Sequence, residues 1–318
     1  KKQKTVSNLT TTNQQLPQTE IDQLVTLFNA GSHVELEIKA CLLIDQYPNA
    51  GFAWKVLGAS LQMQNKEALP ALRKATELLP DDAQAHSNLA VHLEKLGHFK
   101  ESAACCRRAL QINPDSAAAH CNLGNALLGS KRISAAAESY RQALKIKPDY
   151  VDARNNLANA LTRLGQLDNA VKNCRKALEI NPDYAETHNN LGIAQKNLGQ
   201  LNDAVKSYRQ ALTINPDYAE AHSNLGNVLQ ELGQLDEAVA SIQQALTINQ
   251  QYAEAHNNLG NVLRELGQLD EAVASIRQAL TIKPKYAEAH ANLGNTLQSL
   301  GELTDAEANI RRALEINP

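Results

Sequence analysis

Between Ala253 and Pro284 the apolar residues fall at helical spacing twice. Ala255, Leu259, Val262, Leu263 and Leu266 follow an i, i+4, i+7, i+8, i+11 order, which gathers them on one face of a first helix. Ala272, Ile276, Ala279, Leu280 and the nearby Ile282 form a second such face. Between them, Gly267 follows Leu266 and can take the positive φ that closes a helix end. Asp270 and Glu271 then place negative charge in the first turn of the second helix, where the macrodipole favours it. Pro284 ends that helix by pushing the preceding residue out of the α region. The pattern predicts a helix-turn-helix unit.

The unit recurs along the chain. An Asn-Leu pair followed by Gly or Ala begins at Asn88, Asn122, Asn156, Asn190, Asn224, Asn258 and Asn292, a constant step of 34 residues. With Ala253 and its counterparts as position 1, regular units run 83–116, 117–150, 151–184, 185–218, 219–252, 253–286 and 287–318. No single helix pair buries both of its faces, so a fixed period of this kind predicts units stacked on one another. Leu259, Gly260, Gly267, Ala272, Ala279 and Pro284, at positions 7, 8, 15, 20, 27 and 32, make the unit resemble the tetratricopeptide repeat. The resemblance includes 51–82, where "GFAWKVLGASL" is followed by Ala68, Ala75 and Pro80, with two residues fewer between the helices. Residues 17–50 read as a degenerate copy that keeps Gly31 and Pro48 but has Leu36 and Leu43 where small Ala is usual. The fold implied is all-α, a right-handed superhelical α-solenoid forming one domain. The polar stretch 1–16, "KKQKTVSNLTTTNQQL", reads as an extended tail.

Departures from the pattern carry their own expectations. Gly260 in mid-helix costs about 1 kcal/mol relative to Ala, and Ala90 and Ala158 share its slot, so the position requires a small residue where two helices approach. "DYAE" at Asp183–Glu186 and Asp217–Glu220 has the form of a capping box. Lys131 occupies the usual Gly slot with Gly129 two residues earlier, which predicts an altered turn. Gln250 replaces the usual Pro, and the neighbouring helices are expected to hold that turn.

Composition narrows the function classes. The 318 residues carry a net charge of −3, and no basic stripe follows the initial "KKQK", which argues against nucleic-acid binding. No apolar run approaches the roughly 18 to 20 residues of a membrane span, and no signal-peptide core is visible, so no membrane association is expected. Residue 1 is Lys rather than Met, which is compatible with a segment upstream. Cys41, Cys105, Cys106, Cys121 and Cys174 form no CxxC pair or zinc spacing, and their odd count suits a reducing, cytoplasmic setting. Cys106 and Cys174 fall in a core slot and read as small buried hydrophobes.

Histidine recurs at position 4, as His86, His120, His188, His222, His256 and His290, with Arg154 interrupting. Equivalent residues of adjacent helix pairs stand about 10 Å apart, whereas zinc needs nitrogens at about 2.0 to 2.1 Å. No metal site is expected; the slot reads as a large side chain packed between helices, like Trp54 in its unit. There is no phosphate loop, no GxSxG and no HExxH, and identical repeats do not bring unlike groups to one point. Neither an enzyme nor a cofactor is expected within these residues.

Positions 2, 6, 9 and 13 of the first helix share a face beside the apolar stripe. Position 6 is Asn88, Asn122, Asn156, Asn190, Asn224, Asn258 and Asn292; position 9 is Asn125, Asn159, Asn227, Asn261 and Asn295, with Val91 and Ile193 as exceptions. Position 2 is often acidic, as Asp152, Glu186, Glu220, Glu254 and Glu288. The resemblance implies that first helices line the concave surface, so these residues are the candidate peptide-binding ladder, with the acids secondary to it. An amide offers one acceptor and two donors, which complements the backbone of an extended peptide. A structural role, in which Asn fixes a neighbouring helix, is the competing reading. Asn257, at a position occupied elsewhere by Ser87, Cys121, Ser223 or Ala291, is expected to modulate specificity at most.

The expected function is a non-catalytic protein-protein interaction scaffold that holds an extended segment of a partner in its groove. Similar asparagine ladders occur in the arm of O-GlcNAc transferases, so a substrate-recognition arm of a larger glycosyltransferase is an alternative. The carboxylate clamp of chaperone-binding relatives is set aside, because position 2 is neutral or acidic and position 6 is Asn. Self-assembly into a homo-oligomer is a third reading, since Ile310, Leu314 and Ile316 would leave an apolar face uncovered at the end of the stack.

Overall fold

The computed structural model describes residues 16–317. The expected tail therefore lies outside the described residues except for Leu16, which is buried in the first core cluster with Leu24, Leu36 and Leu43 rather than extended in solvent. Eighteen helices make up the described chain, and they fall into two compact units, Lys1–Pro148 and Asp149–Pro318.

The first unit contains α1 (Gln18–Asn29), α2 (His33–Gln46), α3 (Gly51–Met63), α4 (Leu69–Leu78), α5 (Ala83–Lys95), α6 (Phe99–Ile112), α7 (Ala117–Gly129) and α8 (Ile133–Ile146). The second contains α9 (Val151–Arg163), α10 (Leu167–Ile180), α11 (Ala185–Asn197), α12 (Leu201–Ile214), α13 (Ala219–Glu231) and α14 (Leu235–Ile248). It continues through α15 (Ala253–Glu265), α16 (Leu269–Ile282), α17 (Ala287–Leu300) and α18 (Leu303–Ile316). Within each unit every helix packs on the next, and first helices also touch first helices, as in α5 with α7 and α13 with α15. Second helices make no such contact with one another among the described residues, so the first helices occupy the tighter side of each unit.

A size-matched pair holds each helix-turn-helix together. A Cβ added to Gly260 would stand 2.3 Å from Ile276, and one added to Gly124 would stand 2.4 Å from the Tyr140 ring. Where the slot holds Ala instead, as at Ala90 and Ala158, the residue at the partner position is the smaller Cys106 or Cys174, and all four are fully buried. Helices approach closely in every unit, and the two positions share a fixed volume.

Two local expectations are corrected. Lys131 does not alter its turn: it takes φ 61°, the left-handed conformation that Gly267 takes at 78°, and Arg132 N–H reaches the Leu127 carbonyl at 2.9 Å. Gly129 serves a different purpose, since a Cβ there would stand 2.4 Å from the Phe99 ring. The capping boxes do not form, because the N-cap residues of α11 and α13 are Tyr184 and Tyr218, one residue beyond the aspartates, and neither makes a side-chain cap bond. True caps occur earlier, where Asp82 accepts from Ala85 N–H at 2.9 Å and Ser116 from Ala119 N–H at 3.2 Å.

The position-4 histidines close the turns between units. Nε2 of His86, His188 and His222 meets the carbonyl of Pro80, Pro182 and Pro216 at 3.0, 2.9 and 3.0 Å, and Trp54 Nε1 donates to Pro48 O at 2.8 Å. Gln250 offers the same carbonyl to His256 at 3.1 Å, so the turn without Pro keeps its lock.

Candidate binding face on the first helices

The candidate ladder separates into two kinds of asparagine. At position 6 the amides point along the stack. Asn190 Nδ2 donates to Asn155 Oδ1 at 2.8 Å, Asn224 to Asn189 at 3.0 Å, Asn258 to Ser223 Oγ at 3.2 Å and Asn292 to Asn257 at 2.9 Å. Each therefore spends one donor fastening its first helix to the preceding one. Asn156 lies in contact with Asn155, with the amides 3.5 Å apart. In the first unit Asn88 Oδ1 accepts from Gln84 at 2.7 Å, and Asn122 is half-buried.

The receiving residues at position 5 are the ones the pattern undervalued. Asn257 is fully buried, with its amide 3.4 Å from Glu288 Oε1, so it packs within the scaffold instead of facing solvent. Asn155 accepts a second bond from Thr187 Oγ1 at 3.0 Å, and Asn189 reaches the Tyr218 hydroxyl at 3.4 Å. Their counterparts Ser87, Cys121, Ser223 and Ala291 are all small. That restriction in size was the available signal of burial.

At position 9 the amides are uncommitted in the second unit. Asn159, Asn227 and Asn261 are half-buried and Asn295 is exposed, and no side-chain hydrogen bond joins any of the four to another described residue. Ile193 interrupts the row. Asn125, in the first unit, is engaged instead, accepting from the Tyr140 hydroxyl at 2.8 Å.

The acidic residues at position 2 are occupied with the scaffold. Asp152 accepts from the Tyr184 hydroxyl at 3.0 Å, and the negative charge of Glu186 acts on the same hydroxyl. Glu220 Oε1 lies 3.5 Å from Asn189 Nδ2. Glu254 accepts from Lys283 Nζ at 2.9 Å, and that bond holds its carboxyl below the usual range. Glu288 faces Asn257. Burial raises the hydroxyl pKa of Tyr184, Tyr218, Tyr252 and Tyr286, so these tyrosines remain neutral donors or acceptors between neighbouring helix pairs of the second unit.

A second ridge runs beside the row. Lys196 pairs with Glu231 of the next first helix at 2.9 Å, and Gln230 donates to Glu265 of the following one at 2.6 Å. Among the described residues no group of three or more His, Cys, Asp or Glu side chains converges as metal ligands do, and no helix is long and apolar enough to cross a membrane. The face carries amides and a few charges, while the apolar stripe beside it, including Ala255 and Val262, is buried in the core.

Stacked helix pairs with a glycine-type turn and a small residue at the helix crossing define a helical-repeat scaffold. Family models described as TPR repeat match residues 129–165, 158–199 and 197–233, and models described as tetratricopeptide repeat match 83–116, 217–285 and 251–318, together more than half of the chain. The chain belongs to the tetratricopeptide-repeat family, whose scaffolds typically serve protein-protein interaction. Among solved structures, a chain of the APC/C hetero-tetramer Cut9-Hcn1 is similar over 89% of this chain, with a TM-score of 0.67 and 18% identity. This chain spans 56% of that one's length, and the likeness concerns the fold. The crystal structure of MamA matches 50% of this chain and 94% of its own at 27% identity, with a TM-score of 0.45. No curated protein sequence matches the chain.

Proposed function

We propose that the chain is a non-catalytic scaffold that binds an extended segment of a partner protein along the first-helix face of its second unit. The observation that carries this reading is the row of uncommitted position-9 amides at Asn159, Asn227, Asn261 and Asn295. Neighbouring first helices stand about 8 to 10 Å apart, and an extended peptide advances about 3.3 Å per residue, so rungs on adjacent first helices meet the backbone about every third residue, and the step across Ile193 is about twice that. Each bond contributes about 0.5 to 1.5 kcal/mol against several kcal/mol for immobilising the peptide, so several rungs must act together. Asn190, Asn224, Asn258 and Asn292 keep one amide hydrogen and a side-chain carbonyl beyond their scaffold bond, and they line the same face as auxiliary contacts.

The test separates the two kinds of asparagine. Replacing Asn159, Asn227 and Asn261 by Ala removes uncommitted amides and is expected to leave thermal unfolding unchanged while abolishing enrichment of peptides from a random display library. Equal enrichment on the variant and on the wild-type protein rejects the face as the binding surface.

A further inference from the structure

The ridge beside the amide row does not continue from α15 to α17. Lys196 meets Glu231 and Gln230 meets Glu265, each reaching from position 12 of one first helix to position 13 of the next. The residues at the next step of the series are Arg264 of α15 and Ser299 of α17, and Ser299 carries no charge and donates its hydroxyl to Asn295 O of its own helix at 3.1 Å. Arg264 is left without a side-chain hydrogen bond or ion pair among the described residues, and its Nε is buried. One turn earlier on the same helix face, Asn261 Oδ1 is also buried without a donor. A buried donor and a buried acceptor that both lack partners are uncommon in native structures, and here they stand side by side on the candidate binding face.

We propose that Arg264 and Asn261 form a subsite for one acidic residue of the bound peptide. This rests on the reading of the face as a peptide-binding surface and adds the identity of one side chain. A guanidinium takes a planar carboxylate through paired N–H bonds, and rotation of the half-buried Asn261 side chain turns its buried, donor-less Oδ1 to the peptide N–H of the same residue. An Asp or Glu within an extended chain carries both groups. A chain of many negative charges is disfavoured, because Glu220, Glu254 and Glu288 lie at position 2 of the same first helices.

Selections from a random-peptide display library are run in parallel on the wild-type protein and on Arg264→Gln, with thermal unfolding confirming that the variant stays folded. Wild-type selections are expected to converge on peptides with Asp or Glu at one register. Changing that residue to Gln or Asn should weaken binding to wild type roughly tenfold or more, and should leave binding to Arg264→Gln unchanged. Convergence without an acidic position, or an equal loss on both proteins, overturns the subsite while the peptide-binding reading survives. No enrichment on wild type above a bare surface overturns that reading and the subsite with it.

Discussion

The amide of Asn190 donates to the carbonyl oxygen of Asn155, 2.8 Å away on the preceding first helix. Asn155 is buried and accepts a second bond from Thr187, which is fully buried itself. The two asparagines thus carry unequal shares. Asn190→Ala removes one neutral bond and is expected to cost about 1 kcal/mol, whereas Asn155→Ala also leaves Thr187 without its acceptor and should cost about 2 to 3 kcal/mol. The double variant should cost little more than Asn155→Ala alone, because the Asn190 bond is already gone. Hydrogen exchange in α11, compared across the three variants, measures these local costs. Equal effects of the two single changes would contradict the shared-acceptor geometry.

The paired volumes at positions 8 and 24 predict a compensating exchange. Gly260→Ala drives a methyl to within 2.3 Å of Ile276 and should destabilise by about 1 to 3 kcal/mol. Adding Ile276→Cys reproduces the combination already present at Ala158 and Cys174, and should recover much of that loss. Denaturant unfolding of the two single variants and the double variant gives the coupling directly. Additive losses would show that the two positions do not share one space.

Much of this architecture was legible because each cue was local. The 34-residue step, the apolar faces and the residue before each turn fix two helices per unit without any long-range information. The candidate face was legible only as a whole. Position 6 and position 9 share one helix face, and nothing within a single helix distinguishes Asn224, which fastens α13 to α11, from Asn227, which is uncommitted. That difference depends on the neighbouring repeat, where Asn189 accepts the Asn224 amide. The burial of Asn257 escaped for the same reason, since its surroundings belong to adjacent first helices. The tyrosines at the N-caps misled the capping-box reading because their hydroxyls meet Asp152 and Asn189 of the preceding helix pair, while Asp183 and Asp217 fall one residue too early.

Lys131 holds a left-handed conformation that costs an L-residue about 1 to 2 kcal/mol. Lys131→Gly is therefore expected to stabilise the chain by about 1 kcal/mol, part of the relief being offset by the greater freedom of Gly in the unfolded chain. Gly129→Ala, two residues away, should act in the opposite direction by striking the Phe99 ring. Thermal unfolding of the two variants distinguishes the roles, and a fall in stability for Lys131→Gly would show that its side chain contributes more than its backbone costs.

Burial pushes the thiols of Cys106 and Cys174 up to about 12, from an ordinary value of 9.0, while Cys41 lies exposed on α2. At pH 8 a thiol alkylating reagent should therefore modify Cys41 in the folded protein and leave Cys106 and Cys174 untouched until the chain unfolds. The same shift sets a pH dependence. Below pH 9 both states keep these protons; between about 9 and 12 the unfolded chain loses them and the folded chain does not, so stability falls as pH rises. Each thiol contributes a slope of about 1.4 kcal/mol per pH unit in that window. Replacing both cysteines by Ala lowers stability at neutral pH, because the helix crossings lose volume, but should flatten the alkaline decline by their joint share. Tyr140 and Tyr208, whose hydroxyls are also raised by burial, remain in both proteins, so the difference between the two pH profiles isolates the thiols. Parallel profiles from pH 9 to 11 would show that Cys106 and Cys174 ionise alike in the folded and unfolded chain, and that the crossings are wetter than their burial indicates.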